Sequence, residues 1–283
     1  MKDCDPTVKA IVKLDNMAFD EKVLKDLMTS DVHVQELKKE INMEFRSHPI
    51  ITEDHFFQND IYNKMFITMP PEVTKIQADI IYPAPKSHID KYTAQVYHII
   101  SETPEMHFTY VRPLYVDKLP PVSWIYNVLD KKKEVELCKF SNEHFTLQQD
   151  YKVNSEDIET LHMLAIPYRR DLRTIRDLNE SHLPMLKSIK EESYKAIQEH
   201  YGIQSTKIRA LFHYYPTFYH LHVHFVHVSQ ATKAGAFLGK GQLLEDAIEN
   251  IEMKGDYYQT KTIQVQIGEN HEIYKILKDN KMI

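Results

Sequence analysis

Glycine is scarce in this chain: six in 283 residues, at Gly202, Gly235, Gly239, Gly241, Gly255 and Gly268. Neither G-x-G-x-x-G nor G-x-x-x-x-G-K-[ST] can be assembled from them, which argues against a dinucleotide-binding fold and a P-loop NTPase. The run Gly235–Gly241 approaches a P-loop, but its spacing is one short, and Gly241 stands where Ser or Thr must reach magnesium. Cysteine is scarcer still. Cys4 and Cys138 are too few and too far apart for a C-x-x-C metal or redox site, and such low usage suits a reducing compartment. The charged N-terminus has no apolar signal stretch, and no apolar run approaches the ~18 residues that cross a bilayer. A soluble, intracellular protein is expected, with no membrane partner. Excess positive charge is also missing. The net charge is −6, a poor basis for gripping long duplexes such as DNA, although a local basic pocket can hold a short nucleotide.

Prolines mark the joints. Pro70-Pro71, Pro83 with Pro85, and Pro120-Pro121 each break an apolar region. The stiff segment Tyr82–Ser87 is the best linker, predicting an N-terminal domain over 1–86, a hinge over 87–97 and a larger domain over 98–283. Helix-like stretches run from Phe19 to Phe45, and Ile76–Tyr82 reads as a strand. Trp124–Leu129 also reads as a strand, with Asp130–Lys133 as the turn after it. Asn154 or Ser155 can cap a helix running toward Ile166 and stopped by Pro167, and Asn179 can cap a longer one ending at Gly202. Lys207–Tyr215 and His220–Val228 read as two strands joined by a turn at Pro216-Thr217. A helix around Leu243–Ile251, a strand over Thr260–Ile267 and a last short helix over Glu272–Lys278 complete the pattern. The fold class is α+β: an antiparallel sheet with packed helices, plus a smaller mixed α/β N-terminal domain.

What the sequence has in excess is histidine, sixteen in all. In His220-Leu221-His222-Val223-His224-Phe225-Val226 three of them alternate with apolar residues. On a strand His220, His222 and His224 line one face, and Leu221, Val223 and Phe225 the other. His227 has the opposite parity. His213, on the preceding strand, folds back within reach of the histidine face. Three readings compete. Ordinary half-buried histidines are the bland one, but three on one face each need hydrogen-bond partners and repel when protonated. A zinc site is the second, although no Cys pair or H-E-x-x-H helix supplies further ligands. Phosphate chemistry is the third: one imidazole attacks phosphorus while its neighbours donate to the non-bridging oxygens.

The pattern His-φ-His-φ-His-φ-φ matches the defining motif of the histidine triad hydrolases and transferases of nucleotides at every position. The resemblance extends to Tyr214–Phe225, Tyr168–Leu178, Trp124–Lys131 and Leu243–Ile251, all of which look like the scavenger mRNA decapping enzymes of that superfamily. It is close from about Val116 onward. From Phe56 to Tyr115 it is patchier, resting on Asn59–Tyr62, Tyr82–Ala84 and Lys91-Tyr92.

The resemblance implies a histidine-triad catalytic domain and a swapped, dimerising N-terminal domain in a homodimer that resides in the cytoplasm and the nucleus. It implies hydrolysis of 7-methylguanosine-capped dinucleotides and short capped RNA to 7-methyl-GMP and a diphosphate, without metal or other cofactor. His222 is then the nucleophile, forming a nucleotidyl-histidine, with His224, His213 and His220 assisting. Trp124 matches the family's stacking tryptophan, suited to the flat 7-methylguanine cation, and Glu134 its base-edge carboxylate. Asp150 and Lys152 match its pair near base and phosphates. Asn59, Tyr62, Lys91, Tyr92, Thr217 and Lys240 are further substrate contacts. Four positions depart from the family pattern. Tyr151 replaces an aliphatic residue beside the base, Phe218 replaces Tyr, Thr217 replaces Ser, and Lys240 stands near an expected Arg, losing its bidentate fork. The alternatives are another triad hydrolase, acting on dinucleoside polyphosphates, and a non-catalytic cap-binding regulator.

Overall fold

The computed structural model describes residues 11–16, 51–59, 62–68, 76–84, 86–150, 158–230 and 240–283. The helix-like stretch Phe19–Phe45, Tyr151 and Lys152 lie outside them. The chain divides into two compact units, Met1–Thr93 and Ala94–Ile283. In the first, β1 (Ile11–Asn16) pairs antiparallel with β4 (Ile76–Ile81), and β2 (Ile51–Asn59) with β3 (Tyr62–Thr68). Lys86–Tyr92 is a short helix.

The second unit is built on two antiparallel sheets. β5 (Tyr97–Glu102) pairs with β12 (Ile263–Gly268). The larger sheet has six strands: β6 (Cys138–Ser141), β7 (Phe145–Gln149), β8 (His162–Pro167), β9 (Ile208–His213), β10 (Val223–His227) and β11 (Gly241–Leu243). Their order across the sheet is β11-β9-β10-β8-β7-β6. Leu183–Tyr201 is a 19-residue helix that buries Met185, Leu186, Ile189, Ala196 and Ile197. Those positions repeat at helical spacing, and each such side chain contributes about 1.5–3 kcal/mol on burial. From the same helix Tyr194 meets the ring of Phe225 edge-on at 5.4 Å. Leu221, Val223 and Phe225, which alternate with the histidines, are therefore core residues. The helix ends at Gly202, whose φ of 67° is a left-handed stop that only glycine adopts without cost.

Three expectations are corrected. Ser123–Leu129 is a helix, not a strand. Ile125, Val128 and Leu129 are its buried side chains, and that three-and-four spacing outweighs the β-branched and aromatic composition. The helix expected to run toward Ile166 is replaced by β8, with a single 3₁₀ turn at Ile158–Thr160 ahead of it. β8 is flanked by partners on both edges, β7 and β10, and this ladder overrides the local capping signal. The strand expected over His220–Val228 begins only at Val223. His220–His222 lead into it, and the Leu221 N–H is held instead by the carbonyl of Leu172 at 2.9 Å. Asn179 caps the 3₁₀ turn Glu180–His182, which runs into the long helix.

A buried polar cluster joins the two sheets. Arg176 is fully buried, and its guanidinium donates to the Glu102 carboxylate at 2.7 Å, the Glu102 carbonyl at 2.9 Å, the Tyr258 carbonyl at 2.9 Å and the Lys261 carbonyl. Glu102 also accepts from Tyr214 and from Tyr215, the latter at 2.9 Å, and lies 3.0 Å from His107 Nδ1. Burial alone would raise the Glu102 pKa. The hydrogen bond and charge of His107, the charge of Arg176 and the hydrogen bond of Tyr214 outweigh it, so the carboxyl stays ionised below its usual range. Removing one partner strands the other charge. Replacing Glu102 with Gln is expected to cost about 3–5 kcal/mol of stability. Urea unfolding of the two proteins checks this, and an unchanged midpoint would contradict it.

Candidate active site

The register of the large sheet assembles the site. His224 on β10 faces Leu211 of β9 and Leu164 of β8. His213 and His162 each lie two residues along from those partners, so the pleat points all three imidazoles to one side. The His213 and His224 ring centroids are 4.0 Å apart. His162 Nε2 lies 2.8 Å from His224 Nδ1. Beyond the last β7–β8 pair, Gln149 with Met163, Asp150 takes the place opposite His162, and its Oδ2 is 3.2 Å from His162 Nδ1.

His222 sits just ahead of the strand, its ring 4.8 Å from that of His224. Its Nδ1 is 2.7 Å from the His220 carbonyl oxygen. A carbonyl can only accept, so the proton is on Nδ1 and Nε2 keeps its lone pair. His220 is fixed in the same way, its Nε2 donating to the Pro167 carbonyl at 2.9 Å. The ring of Phe218 lies flat on His222, with centroids 4.1 Å apart and planes 22° apart. His222 is therefore held in its plane as well as at its edge.

Burial drives the His222 pKa down to about 3, against the pull of its bond to the His220 carbonyl and with help from His213, His220 and His162. Burial also holds His224 well below the usual imidazole range, helped by His222, His213, His162 and Lys240, and it lowers His220. His224 Nε2 is buried and has no hydrogen-bond partner among the described residues. The arrangement is thus a neutral imidazole with an uncommitted lone pair beside a second imidazole whose other ring nitrogen has no partner among the described residues. It suits attack on an electrophile whose oxygens need donors.

Of the other expected residues, Trp124 lies on the helix Ser123–Leu129, is 43% exposed, and meets Phe218 edge-on at 5.0 Å. The indole is thereby connected to His222 through the single ring of Phe218. Glu134 is half-buried, with a left-handed φ of 57° in the turn after that helix. Thr217 is exposed in the loop before the histidines. The Lys240 carbonyl accepts from the Tyr214 N–H at 2.9 Å. Asn59, Tyr62, Lys91 and Tyr92 belong to the first unit. Asn59 pairs with Tyr62 across β2 and β3, and the Lys91 ammonium lies 5.4 Å from the centre of the Tyr92 ring. His162 was missed by sequence reasoning. A strand assignment for 162–167 would have placed it on the histidine face, and the competing helix assignment hid it.

The comparisons with known proteins agree with this geometry. Residues 123–236 match the family described as the scavenger mRNA decapping enzyme C-terminal binding region, and residues 5–95 match the scavenger mRNA decapping enzyme (DcpS) N-terminal region. A protein named m7GpppX diphosphatase from Ascaris suum is 38% identical over 77% of this chain and 73% of its own length. The protein of that name from Caenorhabditis elegans is 36% identical over 73% of this chain and 67% of its own. The one from Homo sapiens is 32% identical over 79% and 67%. The chain belongs to the scavenger mRNA decapping enzyme family. Among the departures from that family's pattern, Phe218 supplies the flat contact to His222, for which a hydroxyl is not required.

The buried neutral histidines give this scavenger decapping site a pH signature. An unfolded imidazole takes up its proton near pH 6.5, whereas folded His222 does so only near 3. Below about 6.5 the unfolded state binds more protons, so stability falls as the pH drops. Lowering the pH from about 7.5 to about 5.5 is expected to cost about 1 kcal/mol through His222, with His220 and His224 acting in the same direction. Urea midpoints at the two pH values check this, with His222→Asn losing part of the dependence.

Proposed function

We propose that this chain is an m7GpppX diphosphatase. It hydrolyses the 5′–5′ triphosphate bridge of 7-methylguanosine-capped dinucleotides and of short capped RNAs left by 3′-to-5′ decay. His222 Nε2 attacks the phosphorus next to the methylated nucleoside. The P–O bond to the leaving diphosphate breaks with its electron pair, giving a 7-methylguanylyl-histidine, and water then releases 7-methyl-GMP. His224 Nε2 faces the attacked group, His213 adds a donor beside it, and Lys240 adds a donor and a positive charge. The observation that carries this reading is the tautomer of His222: its Nδ1–H is committed to the His220 carbonyl, leaving Nε2 as a nucleophile at neutral pH. The exposed indole of Trp124 suits the cationic base, a contact contributing about 0.5–2 kcal/mol. Glu134, Asp150, Tyr151, Lys152 and Thr217 are the further substrate contacts of this reading. A homodimer, resident in cytoplasm and nucleus, belongs to the same reading.

The test is to mix the protein with a methylated cap dinucleotide in the presence of EDTA and separate the products. Release of 7-methyl-GMP and a nucleoside diphosphate is expected. His222→Asn should lose at least about 1000-fold in turnover while the cap still quenches Trp124 fluorescence. Quenching without cleavage by the unmutated protein would identify a binding protein instead.

A further inference from the structure

The proposed reaction uses His213, His222 and His224. It leaves unexplained a fourth imidazole that the sheet brings to the same place. His162 bridges two groups: Asp150 Oδ2 at 3.2 Å from its Nδ1, and His224 Nδ1 at 2.8 Å from its Nε2. The second contact lies between two ring nitrogens, so one of them must carry the proton and the other accept it. Which does so fixes the state of His224 at its far nitrogen. If His162 is neutral with Nδ1–H turned to Asp150, its Nε2 accepts, His224 donates from Nδ1, and His224 Nε2 is a bare lone pair. If His162 is charged, Nε2–H donates, His224 Nδ1 accepts, and the neutral His224 carries its proton on Nε2. That nitrogen is buried and has no hydrogen-bond partner among the described residues, and the His222 ring lies 4.8 Å from that of His224. A lone pair there repels a phosphoryl oxygen, whereas an N–H stabilises it.

We propose that His162 is a positioning residue that sets the tautomer of His224: charged against Asp150, it turns His224 Nε2 into the hydrogen-bond donor that faces the attacked phosphate. The proposal rests on the reading of the site given above. The ionisable groups facing this pair among the described residues are Asp150 from the end of β7, His222 ahead of β10, His213 on β9 and Lys240 before β11. Asp150 is the single anion among them, and it lies against His162, while the cationic Lys240 acts on His224. A positive charge at His162 would meet the Asp150 carboxylate 3.2 Å away, whereas burial opposes one at His224. Asp150 consequently serves the reacting end of the site through His162, in addition to any contact with the base.

Two readouts test this. Imidazole ¹⁵N spectra of the protein without substrate, from about pH 5.5 to about pH 8.5, should show the His224 proton on Nε2 at the acidic end and on Nδ1 at the alkaline end. The exchange should be absent in His162→Phe. With cap dinucleotide, His162→Phe should lower kcat about 100-fold with little change in KM. His162→Gln, whose amide N–H can donate to His224 at every pH, should restore most of kcat and remove the fall in rate on the alkaline side. A His224 tautomer that does not depend on His162, or His162→Phe with kcat within about twofold of the unmutated protein, overturns the proposal. Absence of cap cleavage by the unmutated protein would sink the proposed function, and the spectra would still decide the role of His162.

Discussion

The hydrogen bond from His222 Nδ1–H to the backbone carbonyl of His220, 2.7 Å long, is the constraint on which the site depends. A free imidazole samples both tautomers and takes up a proton near pH 6.5, so at neutral pH a fraction of it is useless as a nucleophile. Here the main chain chooses the tautomer and burial keeps the ring neutral. The requirement then moves outward to whatever holds the His220 carbonyl and the His222 ring in place. His220 is anchored to Pro167, at the end of β8, and Leu221 to Leu172. The ring itself lies under Phe218. A shift in any of these would return the imidazole to an ensemble.

The loop that delivers Phe218 is tied down at its beginning. Tyr214 and Tyr215 both end on the carboxylate of Glu102, which Arg176 neutralises from within the core. A buried ion pair of this kind adds little to net stability compared with a well-packed apolar core. What it supplies here is a fixed origin for the six residues between β9 and the first histidine of the triad. One carboxylate joins β5 to the loop that carries the lid of the nucleophile, and the guanidinium extends the link to the carbonyls of Tyr258 and Lys261 before β12. Stability and site geometry are connected through this cluster, and the sequence segments that meet in it are far apart.

That distance explains what could and could not be read from the sequence. The core role of Leu221, Val223 and Phe225, the helix ending at Gly202 and the helix Leu244–Met253 follow from local periodicity, whereas His222 precedes the strand and reaches His224 from its lead-in segment. Trp124 and His222 were singled out by motif, although the segment carrying Trp124 was assigned to the wrong element: it is rich in strand-forming residues, and only the spacing of Ile125, Val128 and Leu129 shows the helix. Glu102, Arg176 and His162 were not singled out. An isolated Glu or Arg reads as surface, and nothing local indicates that Glu102 and Arg176, 74 residues apart, are buried together. His162 became visible only once β8 was paired between β7 and β10, because its function is defined by residues on neighbouring strands.

The central claim is that His222 Nε2 forms a bond to phosphorus. The direct measurement is to mix the protein with methylated cap dinucleotide, quench with base within a single turnover, digest, and weigh the peptide that contains His220–His224. The account predicts a mass increase equal to a 7-methylguanylyl group, located on His222 by fragmentation and absent from His222→Asn. Rapid cleavage with the peptide unmodified at every quench time, or with the group attached to another histidine, would contradict it.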